Sequence, residues 1–101
     1  MFGINDKSLQ LIKETLNTYP EIEEALIFGS RALGNYKKGS DVDIALKGSF
    51  KEDIILKVST TLNQSLPLPY FFDILHYDTL SSKELKAHID TFGISILKSI
   101  N

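Results

Sequence analysis

The stretch from Ile27 to Leu46, IFGSRALGNYKKGSDVDIAL, sets a Gly29-Ser30 turn ten residues ahead of Asp41-x-Asp43. The apolar run Ala25–Phe28 ends abruptly at Gly29-Ser30, which is how a buried strand delivers its backbone into a turn that opens a helix. Such a turn suits phosphate. Glycine lets the backbone come close to an anion, the following amides point outward, and the serine hydroxyl adds a donor. Asp41-Val42-Asp43-Ile44-Ala45-Leu46 then alternates as a strand does, sending Val42, Ile44 and Leu46 to one face and Asp41, Asp43 and Ala45 to the other. Two carboxylates on one face repel each other unless a cation lies between them, most simply a hard divalent ion with oxygen ligands such as Mg²⁺. Two such ions ~3.5–4 Å apart activate an attacking hydroxyl and stabilise a leaving pyrophosphate in an in-line displacement, chemistry that calls for a third acid.

The surrounding elements must bring these groups together. Asn5 or Asp6 caps a helix to about Asn17, with Leu9, Ile12 and Leu16 on one side, and Tyr19-Pro20 ends it. A first strand covers roughly Glu24–Phe28, and a short helix covers Ser30–Asn35. For Ser30 to lie beside Asp41, the strand after the Lys37-Lys38-Gly39 loop must run antiparallel to the first. Ser49-Phe50-Lys51-Glu52 has capping-box spacing and opens a helix, ending near Asn63, whose buried side carries Ile54, Ile55, Val58 and Leu62. Leu66-Pro67-Leu68-Pro69 is an extended linker into a third strand, Tyr70–Leu75. A strand, helix, strand connection favours parallel pairing, and Asp73, the only acid inside the third strand, then falls near Asp43. Ser81-Ser82-Lys83-Glu84 offers a second capping box for a helix carrying Leu85, His88, Ile89 and Phe92, which Gly93 interrupts. The apolar tail with Ile94, Ile96, Leu97 and Ile100 reads as a further helical turn on the sheet or a segment awaiting a partner. The fold class is α/β (α+β), a small three-stranded mixed sheet with helices packed against it, in a single domain spanning residues 1–101.

Gly29-Ser30, ten residues, then Asp41-x-Asp43 resembles the signature of the DNA polymerase beta-like nucleotidyltransferases. The short chain with Gly29-Ser30-Arg31-Ala32 and Ser40-Asp41-Val42-Asp43-Ile44 is similar to their minimal nucleotidyltransferase (MNT) group. The resemblance implies a nucleotidyltransferase fold in which Asp41, Asp43 and Asp73 are metal-binding and catalytic, holding two Mg²⁺ ions. Gly29, Ser30 and Arg31 would contact ATP, the nucleotide donor. It further implies that the chain works as the antitoxin of a toxin–antitoxin pair, transferring AMP to a tyrosine hydroxyl of a helical HEPN-domain partner. A small-molecule nucleotidyltransferase of the aminoglycoside-modifying kind is one alternative, though no acceptor-binding domain is evident. A module that neutralises its partner by contact alone is another.

Composition narrows the setting. Of 101 residues, 43% are hydrophobic and 24% charged, with a formal net charge of −2 and no cysteine. Disulfides and thiolate metal sites are thereby excluded, and long nucleic acid meets no general attraction. With no membrane-length apolar run and no leader-like N-terminus, a cytoplasmic location is expected. Other polar residues read more plainly. Lys37, like Arg31, can reach a triphosphate, but cations beside acids commonly form surface pairs. His76 and His88 lack metal-ligand spacing and read as a strand-end and a helix-face residue. Asp73, set between Phe72 and Ile74, is expected to need a cation or basic partner to offset its burial.

Overall fold

Asn5, rather than Asp6, opens the first helix. In the computed structural model, which describes residues 1–98, the Asn5 side-chain oxygen accepts the Ser8 amide at 2.8 Å. Helix α1 then runs Asp6–Asn17 with Ile12 and Leu16 fully buried. Strands β1 (Glu24–Phe28), β2 (Val42–Lys47), β3 (Phe72–His76) and β4 (Ile94–Lys98) form one mixed sheet in the order β3-β2-β1-β4. β1 and β2 are antiparallel and β2 and β3 parallel, as the site requires.

The sheet has four strands, not three. The tail read as a helical turn or free segment is β4, antiparallel to β1. Its β-branched composition suits a strand, and it satisfies the outer backbone edge of β1, whose side chains from Ala25 to Phe28 are all buried. The register slips between Ala25 and Leu26, so that Leu97 pairs with Ala25 and Ser95 with Leu26. That bulge lets both Ile96 and Leu97 pack on the main core, while Ile94 stays exposed. Ile100 lies outside the described residues. Leu97→Asp is therefore expected to cost about 2 kcal/mol or more of stability, a midpoint fall of several degrees in a thermal melt. An unchanged midpoint would return the tail to the role of a free segment.

The two sheet faces are covered differently. Ala25, Ile27, Val42, Ile44 and Leu46 meet α1 and helix α3 (Asp53–Thr60) in the main core. Phe28 and Ala45 meet Ile89 of helix α4 (Lys83–Phe92) in a smaller cluster on the other face. Local boundaries depart from the sequence reading in four places. Helix α2 is one turn, Ser30–Leu33, stopped by Gly34 at φ 84°. α3 has no side-chain cap and starts after Glu52, then continues as a π turn over Thr61–Ser65. α4 is capped by Ser82, which accepts the Leu85 amide at 3.1 Å, so Glu84 cannot complete a capping box. Lastly, β3 starts at Phe72 rather than Tyr70.

The missing box at Ser49–Glu52 has a specific cause: Glu52 is engaged elsewhere. His76, buried at the end of β3, points Nδ1 at Glu52 Oε1 and Nε2 at the Gly48 carbonyl, both at 2.8 Å, with Phe50 stacked on its ring at 4.0 Å. A carboxylate and a carbonyl both accept, so the two contacts favour the imidazolium form, in which both ring nitrogens donate. Burial opposes that charge, but the Gly48 and Glu52 hydrogen bonds outweigh it and raise the His76 pKa above its ordinary 6.5. A raised folded-state pKa means that the clamp's stabilisation is complete below 6.5 and fades as pH climbs through the raised value. The thermal midpoint is expected to fall as pH rises above about 6.5, and His76→Gln to flatten that slope. Equal slopes for the two proteins would refute the clamp.

Candidate active site

β1 delivers the phosphate-type turn, and β2 and β3 deliver the acids. Phe28 pairs with Asp43, and Asp43 pairs with Asp73. Three strand neighbours thus stand in a row on the face that α4 covers, with the strands ~4.8 Å apart. Asp41 is exposed at the mouth of β2, two residues before Asp43, close enough to act on its charge. The Asp43 carboxyl is pushed above its ordinary 3.8, first by burial, then by the Asp73 and Asp41 charges, with His88 and Arg31 acting the other way. The arrangement accumulates negative charge at one end of the sheet.

The register depends on a residue that the sequence did not single out. Asn63, in the π turn after α3, accepts the Phe72 amide at 2.8 Å and donates to the Phe72 carbonyl at 3.0 Å. The Val42 amide meanwhile donates to the Phe71 carbonyl at 2.8 Å. These bonds fix where β3 begins and hence bring Asp73 level with Asp43.

Asp73 itself is exposed, so the expectation that burial demands a cationic partner for it fails. Its neighbours Phe72 and Ile74 are buried on the opposite face, and strand alternation turns Asp73 outward. Its claim to the site rests on register alone.

At Gly29 the backbone adopts φ 74°, ψ −153°, and a Cβ placed there would run into the Asp43 carboxylate. Glycine is required twice over, for the conformation and for the close approach of the acid. The Gly29 amide donates to His88 Nε2 at 3.1 Å, so His88 on α4 belongs to the site although nothing in its spacing announced it. Ser30 is half-buried at the start of α2.

Arg31 has a different occupation from the phosphate contact expected of it. Its side chain is buried, with Nε and one terminal nitrogen donating to the Ser40 carbonyl at 3.2 and 2.7 Å and the other to the Phe2 carbonyl at 2.8 Å. The Tyr36 and Tyr70 rings flank the guanidinium at 5.2 and 5.3 Å. Arg31 thereby anchors the residue just before Asp41. Lys37 and Lys38 are exposed beside it, lining with Arg31 and Tyr36 a cavity of about 430 Å³.

A larger cavity of about 690 Å³ opens at the opposite end of the strands, lined by Lys47, Tyr77 and Lys86 among others, and contains none of the three acids. Chemistry, not volume, locates the site. Among the described residues no three His, Cys, Asp or Glu side chains converge closely enough to enclose an ion. Mg²⁺ ordinarily needs no such enclosure, being held by one or two carboxylates and completed by substrate phosphates and water. The raised Asp43 pKa, with the Asp73 and Asp41 charges near enough to act on it, is compatible with a nearby cation. Among the described residues, no helix is long and apolar enough to cross a membrane.

The model of the polymerase beta nucleotidyltransferase family matches residues 10–100. Comparison with curated protein sequences returns no relative. Among solved structures, the chain is similar to one in a toxin–antitoxin complex with AMP-PNP, at 20% identity and TM-score 0.72, covering 92% of this chain and 74% of that one. The toxin–antitoxin pair MntA–HepT gives 17% identity and TM-score 0.69, with 94% and 74% covered. A complex of the tri-AMPylated Shewanella oneidensis HEPN toxin with its MNT antitoxin gives 17% identity and TM-score 0.68, with 92% and 71% covered.

Proposed function

The chain belongs to the polymerase beta nucleotidyltransferase family, and from that premise we propose that it transfers AMP from Mg²⁺-bound ATP to a tyrosine hydroxyl of a HEPN-type helical partner, acting as that toxin's antitoxin. The observation that carries the reading is the row Phe28, Asp43, Asp73 with Asp41 at its mouth and the Gly29-Ser30 turn against Asp43. The likeness in fold to chains of MNT–HEPN complexes, one of them with an AMPylated toxin, supports the choice of acceptor.

Each residue has a part in this proposal. Asp41 and Asp43, with Asp73, would hold the two Mg²⁺ ions together with the nucleotide's own phosphates. Mg²⁺ held there would supply neutralisation of the phosphates and a lowered pKa for the attacking hydroxyl. Gly29 and Ser30 hold the triphosphate through the turn's backbone and hydroxyl. Arg31 contributes by bracing the Ser40 carbonyl so that Asp41 faces the site. Asp73, exposed on the edge strand β3, is open to an incoming hydroxyl and accepts its proton as general base.

Incubating the purified chain with ATP, Mg²⁺ and a candidate HEPN-type helical protein, then mapping adducts by mass spectrometry, tests the assignment. The expected adduct is AMP on a tyrosine of the partner. Adducts confined to small-molecule acceptors would move the chain to the aminoglycoside-modifying kind of activity. Complex formation without any adduct would make it a contact-only antitoxin.

A further inference from the structure

His88 is the one group on α4 that hydrogen-bonds the phosphate-type turn among the described residues. Its Nε2 accepts the Gly29 amide at 3.1 Å. Two aromatic neighbours hold the ring in place: Phe28 edge-on at 6.1 Å and Phe92 tilted at 5.4 Å. The helix is held in turn by Ile89, fully buried against Phe28 and Ala45, and by the Tyr77 hydroxyl donating to Asp90 at 2.7 Å. A continuous chain of contacts therefore runs from α4 through His88 to the peptide of Gly29.

That peptide needs an anchor. With φ at 74° and no side chain, Gly29 has more conformational freedom than any other residue type, and it joins the end of β1 to Ser30. If the peptide ahead of Gly29 rotates, Ser30 and the amides after it turn with it, and the contact with Asp43 is lost. The hydrogen bond that the Gly29 amide donates to a packed imidazole fixes this peptide.

We infer that His88 is a positioning residue for nucleotide binding: it fixes the Gly29 amide so that Ser30 and the following amides face the triphosphate. The inference rests on the proposed nucleotidyl transfer. His88 does not touch the reacting atoms, so its loss acts on nucleotide affinity more than on the rate of the bound complex.

Two substitutions separate the hydrogen bond from the packing. His88→Phe retains an aromatic ring between Phe28 and Phe92 but removes the acceptor. His88→Gln restores an acceptor at a similar reach. Titrating each protein with Mg²⁺ and AMP-PNP, His88→Phe is expected to bind on the order of five- to tenfold more weakly than the wild type, the worth of one hydrogen bond. The KM for ATP should rise in step while kcat changes little. His88→Gln should recover most of the affinity. In nuclear magnetic resonance spectra, the Gly29 amide should move upfield in His88→Phe and return towards its wild-type position in His88→Gln. A purely structural role would lower the thermal midpoint without changing the KM of the folded fraction, and would overturn the inference. Wild-type affinity in His88→Phe, or no recovery in His88→Gln, would also overturn it. A wild-type chain that binds no nucleotide in the same titration would instead sink the proposed function, and the Gly29 amide shift would still report whether the bond exists.

Discussion

Asp43→Asn is expected to lower nucleotide transfer by at least about a hundredfold while leaving the chain folded, because a neutral amide is a poor Mg²⁺ ligand and in the proposed reaction the metal would carry most of the electrostatic stabilisation. Asp43 is the centre of the acid row, flanked by Phe28 and Asp73 and touched by Gly29, so no neighbouring carboxylate can take its place. The same variant should be more stable than the wild type in EDTA at neutral pH. Burial and the Asp73 and Asp41 charges raise the Asp43 pKa, so the folded state holds that proton more tightly than the unfolded chain. The resulting stability is present at low pH and lost as pH rises through the raised value, leaving a destabilising charge at neutrality. Thermal melts should therefore rank Asp43→Asn above wild type in EDTA. Mg²⁺ with AMP-PNP should reverse the order, since only the wild type binds both well. A variant that melts below the wild type in EDTA, or that keeps wild-type single-turnover transfer, would contradict the role given to Asp43.

Gly29→Ala should be nearly as damaging to transfer and more damaging to the fold. A Cβ at φ 74° is strained by roughly 1–2 kcal/mol, and it would also force the Asp43 carboxylate aside. Transfer should fall about a hundredfold or more, with a midpoint several degrees lower. Gly34→Ala supplies the control, because Gly34 has φ 84° but open space around its Cα. It should show a similar loss of midpoint with transfer retained. Equal transfer in the two variants would mean that the close approach of Gly29 to Asp43 is unimportant.

The positions of the acids were legible because strand alternation and a strand, helix, strand connection constrain them strongly. Asp43 and Asp73 could hardly have been neighbours in any other pairing. Less accessible were the contacts that span long separations. His88 lies 59 residues from Gly29, and only the crossing of α4 over the sheet brings them together. Asn63 acts on Phe72 across a linker whose prolines obscured where β3 begins. Glu52 looked like half of a capping box, but its carboxylate was committed to His76, 24 residues away. β4 was missed for another reason: Ile94-Ser95-Ile96-Leu97-Lys98 is too short for its period to separate strand from helix, and the unpaired edge of β1 decides the matter. At Arg31 the sequence shows a cation beside the motif but not that its guanidinium donates to the Ser40 and Phe2 carbonyls.

The most direct test of nucleotidyl transfer follows the two ends of ATP separately. The purified chain, the proposed HEPN-type partner and Mg²⁺ are incubated with ATP labelled at the α-phosphate or at the γ-phosphate, and the label on the partner is counted. The site described here predicts α-label joined to the partner and γ-label released as pyrophosphate, both abolished by Asp43→Asn. Label transferred from the γ-phosphate, or α-label that persists in Asp43→Asn, would contradict it.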